Sequence, residues 1–113
     1  MLFRVGALPD KATDAAARFH AEVLPKLLAE LEGGDGPLTL VFAPADFTHA
    51  GWRLAAVQGL AREHAPLRVN ALVSDDERAI AEAGRYLAGA GGVTGQLLPL
   101  DGNGAGEVLS DSK

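Results

Sequence analysis

The spacing of apolar residues along the chain alternates between the period of a helix and the short run of a buried strand. Segment 53–73 (RLAAVQGLAREHAPLRVNALV) shows both in succession. Its first half keeps helical spacing up to Leu60, and Pro66 cannot continue a helix. The residues from Leu67 to Val73 then form an apolar run with β-branched members, which indicates a strand. A helix that leads this closely into a strand predicts half of a β-α-β unit.

The same patterns recur on both sides of this segment and predict an alternating order of elements. The predicted strands cover residues 2–8, 38–43, 67–73 and 95–100, and the predicted helices cover residues 11–31, 48–64 and 77–89. Pro25 lies inside the first helix, where it removes a backbone hydrogen bond and predicts a kink. Such alternation predicts an α/β fold of about four mostly parallel strands joined by three crossover helices. One domain is predicted over residues 1–101, with a loose tail over 102–113.

Polar residues before each predicted helix are candidate caps, because a side-chain oxygen can accept from the exposed N–H groups of a first helical turn. Asp10 is placed to cap the first helix, and either Asp46 or Thr48 to cap the second. Ser74 followed by Glu77 has the spacing of a capping box before the third helix. The carboxylates within 75–77 could also suggest a cation site, but we interpret them as acidic residues of a first helical turn.

Composition narrows the classes of partner. The chain has 113 residues, of which 48% are hydrophobic, enough for one globular domain. A formal net charge of −5 opposes binding to nucleic acid or to an anionic membrane, because both require a basic surface. The chain lacks cysteine, which excludes disulfides and thiolate chemistry. No apolar run approaches the ~20 residues of a membrane span and no secretory signal pattern is present, so we expect cytoplasmic residence.

Two segments resemble the short-chain dehydrogenase/reductase family. Residues 68–71 read R-V-N-A and follow a helix that contains A-A-V-Q-G-L, as at the end of the family's long central helix and in its next strand. Residues 93–102, VTGQLLPLDG, are similar to the family's last strand, V-T-G-Q-x-L-x-x-D-G. The resemblance implies the second half of a Rossmann-like fold. The family's first half, with its glycine-rich dinucleotide loop, has no counterpart in these residues.

The resemblance also implies where catalytic residues should stand. In the family a tyrosine acts as general acid and base, and a lysine four residues later lowers its pKa and holds the nicotinamide ribose. Alignment on A-A-V-Q-G-L puts Ala50 and Leu54 at these positions. An alternative register offers His49 and Arg53, which have the same spacing, and histidine is capable of acid/base chemistry. We expect this pair to have no catalytic role and to behave as surface residues, whose replacement by alanine leaves stability largely unchanged.

Other positions that carry chemistry in the family hold different residues here. The family's serine after the second strand is replaced within 43–45 (APA), and its Pro-Gly pair after the third strand by Ser74 and Asp75. Its Asn-Asn-Ala-Gly sequence is replaced by 5–8 (VGAL). The glycines follow helices instead of opening them, so no pyrophosphate-binding turn is predicted.

The histidines and the tyrosine do not suggest a further site. His20, His49 and His64 are far apart in sequence and lie on different predicted elements, without the helical spacing of a metal-binding pair. Tyr86 is predicted at the surface of the third helix. We therefore predict no catalytic residue, no cofactor and no metal.

These observations predict a non-catalytic relative of the short-chain dehydrogenases that acts as a structural or regulatory subunit. The alternative is an accessory subunit of, or a residual, NAD(P)-dependent oxidoreductase. The resembled enzymes associate through their long helices, so we expect a homodimer or a complex with a full-length dehydrogenase. The interface candidates on the two long helices are Trp52, Leu54, Val57, Phe19 and Leu27.

Overall fold

A computed structural model describes residues 1–34 and 36–100 of the chain. Four parallel strands form one sheet in the order β1-β2-β3-β4. The strands are β1 (Leu2–Arg4), β2 (Leu38–Phe42), β3 (Val69–Val73) and β4 (Leu97–Pro99). The helices are α1 (Ala12–Arg18), α2 (Leu24–Gly33), α3 (Ala50–Glu63) and α4 (Glu77–Gly89), with a π-helical turn at Phe19–Val23 and a 3-10 turn at Phe47–His49. The predicted α/β fold is confirmed.

Strand β2 lies in the interior of the sheet, and every one of its residues is buried. Side chains alternate between the two faces of a strand. Leu38, Leu40 and Phe42 therefore face one side of the sheet, while Thr39 and Val41 face the other. A strand that is apolar on both faces needs a layer of helices on each side, as parallel sheets usually have.

The first layer contains α1, α2 and α3. These helices bury Phe19, Leu27, Val57 and Leu60 against the side of the sheet that carries Leu40. Four aromatic and imidazole rings meet at one end of this core, and the centroids of Phe19 and Phe42 are 5.9 Å apart. Most of the large fully buried side chains belong to this layer, so it is the main core of the molecule.

The second layer contains α4, which packs alone on the opposite face. Ile80, Ala83 and Leu87 contact the cluster that includes Val41 and Leu72. Each crossover moves one strand further in the same direction across the sheet. Since α4 lies on the other face from α1, α2 and α3, the β3-α4-β4 crossover has the opposite hand to the first two. This arrangement covers both faces of the interior strands with only three crossovers.

The outer strands are shorter than predicted. The prediction for β1 extended to residue 8, but its pairing with β2 ends at Arg4. Gly6 then adopts a φ of +84°, a left-handed conformation that glycine accommodates best, and the chain leaves the sheet. The last strand begins at Leu97 and not at residue 95, because Gly95 has a φ of +76°. Sequence patterning placed each strand correctly and overestimated its length at these turns.

The first predicted helix is divided by a π-helical turn. This turn ends at Val23, and Pro25 occupies the first turn of α2. A proline ring crowds the carbonyl of the residue four positions earlier and lacks an N–H group. A single widened turn is a common way for a helix to absorb such a local irregularity. The predicted disturbance is therefore present, in the form of a π-helical turn.

The predicted caps have different outcomes. The Asp46 side chain accepts from the Thr48 N–H group, as predicted. Asp10 is not the cap of the first helix, because Lys11 occupies that position and makes no side-chain cap bond. The predicted capping box at Ser74 is also wrong. Asp76 caps α4, because its side chain accepts from the N–H groups of Arg78 and Ala79 at 2.9 and 3.3 Å. The Ser74 hydroxyl instead accepts from the Asp76 N–H group in the loop before the helix.

No helix among residues 1–34 and 36–100 is long and apolar enough to cross a membrane. The predicted tail over 102–113 lies outside the described residues.

Candidate functional site

A cleft of about 320 Å³ opens where strands β1 and β2 end. Its walls are Gly6 and residues 8–10 after β1, residues 43–46 after β2, and two side chains of the central helix, His49 and Arg53. Ligands of parallel α/β sheets usually bind beyond the carboxyl ends of the strands. The position of the cleft makes it the candidate functional site of the described chain.

His49 forms the inner wall of the cleft and is only 4% exposed. The indole N–H of Trp52 donates to its Nδ1 at 3.1 Å, so this nitrogen carries no proton. Nε2 then carries the proton and donates to the carbonyl oxygen of Asp10 at 2.8 Å. Both ring nitrogens are therefore occupied in a neutral imidazole that joins the loop after β1 to α3.

Arg53 lies one turn further along the same helix and is 6% exposed. Its guanidinium stacks over Phe42, with 4.6 Å between Cζ and the ring centroid, and lies 5.8 Å from the ring of Trp52. Nη1 donates to the carbonyl oxygen of Ala43 at 2.9 Å, which holds the first residue beyond β2. Burial lowers the pKa of Arg53, because a desolvated cation is disfavoured.

The Arg53 charge is only partly compensated. Its Nε is buried without a hydrogen-bond partner among the described residues, and Arg53 forms no ion pair with them. Contact with two aromatic faces offsets part of the desolvation cost of a guanidinium. A buried cation without a carboxylate partner is unusual in protein interiors, and it is the most unusual electrostatic feature of the cleft.

Asp46 lies at the exposed rim of the cleft and is already engaged. Its Oδ1 accepts from both the hydroxyl and the backbone N–H of Thr48. The hydroxyl contact first, and the backbone contact second, lower the pKa of the Asp46 carboxyl. The carboxylate therefore stays ionised as the cap of the helical segment that carries His49.

His49, at the end of the 3-10 turn, and Arg53, on α3, face the cleft, whereas the two positions given by the sequence alignment do not. Ala50 is exposed and Leu54 is 37% exposed, and neither lines the cleft. The expectation that His49 and Arg53 behave as surface residues is wrong, since both are buried. Their spacing of four residues was visible in the sequence; their burial depends on the aromatic rings of Phe42 and Trp52, which periodicity along one helix does not show.

Three of the five interface candidates lie in the core of the single chain. Phe19, Leu27 and Val57 have no exposed surface, because both long helices bury them against the sheet. Trp52 is partly buried within the aromatic cluster. Leu54 keeps enough exposed surface to contact another chain directly. The central helix thus has one buried side and one outer side on which Leu54 is exposed.

The two segments that carry the family resemblance have structural roles here. Asn70 is almost fully buried, donates to the Val93 carbonyl and accepts from the Gln96 N–H, both at 3.0 Å. Arg68 donates to three carbonyl oxygens at the end of α4, those of Leu87, Ala88 and Ala90. These bonds attach the last helix and the loop after it to β3.

The other polar candidates form no site among the described residues. Glu77 makes a bidentate ion pair with Arg4, and Asp76 is a helix cap, so the acidic segment at 75–77 has the structural role expected of a first helical turn. No group of three or more potential ligands in residues 1–34 and 36–100 could hold a metal ion. Tyr86 is 61% exposed on α4, as predicted.

Comparison with known proteins agrees with the fold. No curated protein and no solved structure matches the chain. A family model described as "Short chain dehydrogenase-like protein" matches residues 3–100, which include β1 from Phe3 onward and every later strand and helix described above. The chain therefore belongs to the short-chain dehydrogenase-like family.

Proposed function

We propose that this protein is a non-catalytic member of its family and acts as a structural or regulatory subunit in association with another chain. The observation that carries the proposal is the bonding of His49 and Arg53. The two side chains that the 3-10 turn and α3 direct to the cleft are used to hold the backbone at Asp10 and Ala43. A general acid or base must be able to exchange its proton with a substrate.

His49 fails this requirement in its present bonding. Protonation of Nδ1 would break its bond with the Trp52 indole, and loss of the Nε2 proton would leave the Asp10 carbonyl without its donor. Arg53 remains protonated under all ordinary conditions, so it does not serve as a base. The family's tyrosine and lysine positions hold Ala50 and Leu54, whose side chains carry no proton to transfer.

Association is the second part of the proposal. The outer side of the helical layer exposes Leu28 and Leu54, at 36% and 37%, and Phe47 is 87% exposed at the start of the central helical segment. Exposed apolar side chains of this size favour contact with a partner. Strand β1 is also an edge of the sheet in the described chain. We propose a homodimer, or a complex with a full-length dehydrogenase, built on the outer side of α3.

A variant of Leu54 tests this association. Leu54→Asp places a charge in the proposed interface, and we expect the molar mass in solution to fall to that of one chain. Tyr86→Asp is the matched control, because it adds the same charge at an exposed position of α4 on the other face of the sheet. Light scattering coupled to size-exclusion chromatography provides the measurement. The proposal would be contradicted if the native protein is monomeric at tens of micromolar and also forms no complex when a full-length dehydrogenase is added.

Residence in the cytoplasm and lack of binding to nucleic acid remain predictions from the composition of the chain. Residual NAD(P)-dependent oxidoreductase activity is the alternative to a non-catalytic role, and nucleotide titration distinguishes the two.

A further inference from the structure

We infer that the cleft beyond β1 and β2 binds a small monocarboxylate, with the Arg53 guanidinium as its anchor. This inference gives the proposed regulatory subunit a ligand. It holds whether or not the protein associates with another chain and whether or not it binds NADH. It depends on three features of the described cleft: a buried cation with unused donors, a half-open space of limited volume, and two rim carboxylates that disfavour more highly charged anions.

The first feature is the bonding deficit of Arg53. A guanidinium has five N–H donors, and among residues 1–34 and 36–100 only Nη1 of Arg53 has a hydrogen-bond partner, the Ala43 carbonyl. Nε is fully buried and has no partner among residues 1–34 and 36–100. A desolvated guanidinium without an anionic partner is costly, and planar carboxylates are the anions that best match its fork of donors. A carboxylate in the cleft would supply the missing negative charge.

The second feature is the size of the cleft. Its volume of about 320 Å³ lies at the lower end of ligand pockets, which favours a molecule of a few heavy atoms. Gly6 contributes a wall without a side chain, and a Cβ at this position would have no atom within 4 Å. The space next to Gly6 is therefore open to a ligand.

The third feature is the charge of the rim. Asp10 and Asp46 both line the cleft, and His49 on the inner wall is neutral in the hydrogen-bond arrangement described above. Asp46 directs one oxygen to Thr48, but its charge remains. A ligand with one negative charge can pair with Arg53, whereas a second charge would face these carboxylates. The cleft should therefore prefer monocarboxylates to dicarboxylates and to phosphate.

Trp52 provides a direct reporter of occupancy. It is the only tryptophan of the chain, and its ring lies beside the Arg53 guanidinium. Propionate, succinate, inorganic phosphate and uncharged propionamide are titrated against the native chain while tryptophan fluorescence is followed. We expect a saturable change with propionate at about 10 mM or below, and none with propionamide, succinate or phosphate in that range.

Two variants assign the effect to the cleft. Arg53→Met keeps an unbranched side chain of similar length without charge, and we expect it to weaken propionate binding about tenfold or more. Arg62→Met is the matched control, because Arg62 is exposed on the same helix and does not line the cleft. Retained propionate binding in Arg53→Met would overturn the inference.

The native titrations keep the inference falsifiable even if Arg53→Met does not fold. Equal responses to propionate and propionamide, or no response to propionate, would overturn it without reference to any variant. Neither result would bear on association or on NADH binding, so failure of this inference is distinguishable from failure of the proposed function.

Discussion

His49 and Arg53 illustrate how residues with catalytic side chains can serve as backbone anchors. They face the candidate cleft from one helix, and each holds the carbonyl oxygen of a residue beyond a different strand. Alignment of α3 with the family on A-A-V-Q-G-L instead places Ala50 and Leu54 at the catalytic positions, one residue further along the chain. The register that faces the cleft is set by Trp52 and Phe42, which pack around Arg53. The spacing of four residues could indicate that His49 and Arg53 lie on one side of a helix, but it could not indicate that both are buried.

The anchoring role of His49 predicts a loss of stability on its removal. His49→Ala leaves the Trp52 N–H and the Asp10 carbonyl without their partners, and we expect the free energy of unfolding to fall by about 2 kcal/mol. His20→Ala is the control, because His20 is exposed on the first layer, and we expect a change within about 0.5 kcal/mol. Chemical denaturation measures both. Equal small effects would show that His49 is not an anchor.

Asp46 predicts a specific dependence of stability on pH. Its pKa is lowered in the folded chain by the Thr48 hydroxyl and then by the Thr48 N–H. The ionised carboxylate therefore contributes stability above the ordinary value of 3.8, and this contribution is lost as the pH falls through the lower folded value. Asp46→Ser retains a capping oxygen that does not titrate in this range.

Acid titration of unfolding compares the native chain with Asp46→Ser. We expect the native chain to lose stability more steeply below pH 3.8, since the other carboxylates titrate in both proteins. Parallel curves would contradict the assignment of the lowered pKa to Asp46.

Helices and strands were predictable in order and type, because the periods of apolar residues differ clearly between them. Their ends depend on single residues whose roles emerge only in three dimensions. Gly6 and Gly95 end or delay strands through positive φ angles, and a sequence does not reveal which of its glycines adopt them. The capping box at Ser74 matched a pattern, but α4 begins at Glu77, so Asp76 is its cap and Glu77 pairs with Arg4.

The cap of α4 gives a prediction with a matched control one residue away. Asp76→Ala removes the acceptor of two backbone N–H groups, and we expect it to lower the free energy of unfolding by about 1 kcal/mol. Asp75→Ala removes the same charge from an exposed neighbour and should change it by less than about 0.5 kcal/mol. Urea unfolding of both variants provides the comparison. A larger loss for Asp75→Ala would place the cap elsewhere.

At the scale of the molecule, the described residues form a parallel sheet with unequal cover on its two faces. Of the four helices in residues 1–34 and 36–100, α1, α2 and α3 form the main core on one face, and α4 covers the other. Leu2 on β1 remains 41% exposed, although its side chain lies next to Gly84 of α4. Alternation of strands and helices alone predicts crossovers of one hand, which would put all the helices on one face of the sheet. The sheet was therefore predictable from patterning, whereas the position of α4 on the other face was not.

In our proposal the family fold is retained without dehydrogenase chemistry. Titration of the protein into NADH and NADPH, followed by nucleotide fluorescence, tests this proposal, with a full-length reductase as positive control. We expect no saturable change up to about 100 μM protein, because His49 and Arg53 already hold backbone carbonyls at the cleft and no predicted helix follows a glycine-rich turn. A saturable change at micromolar concentration would contradict the proposal.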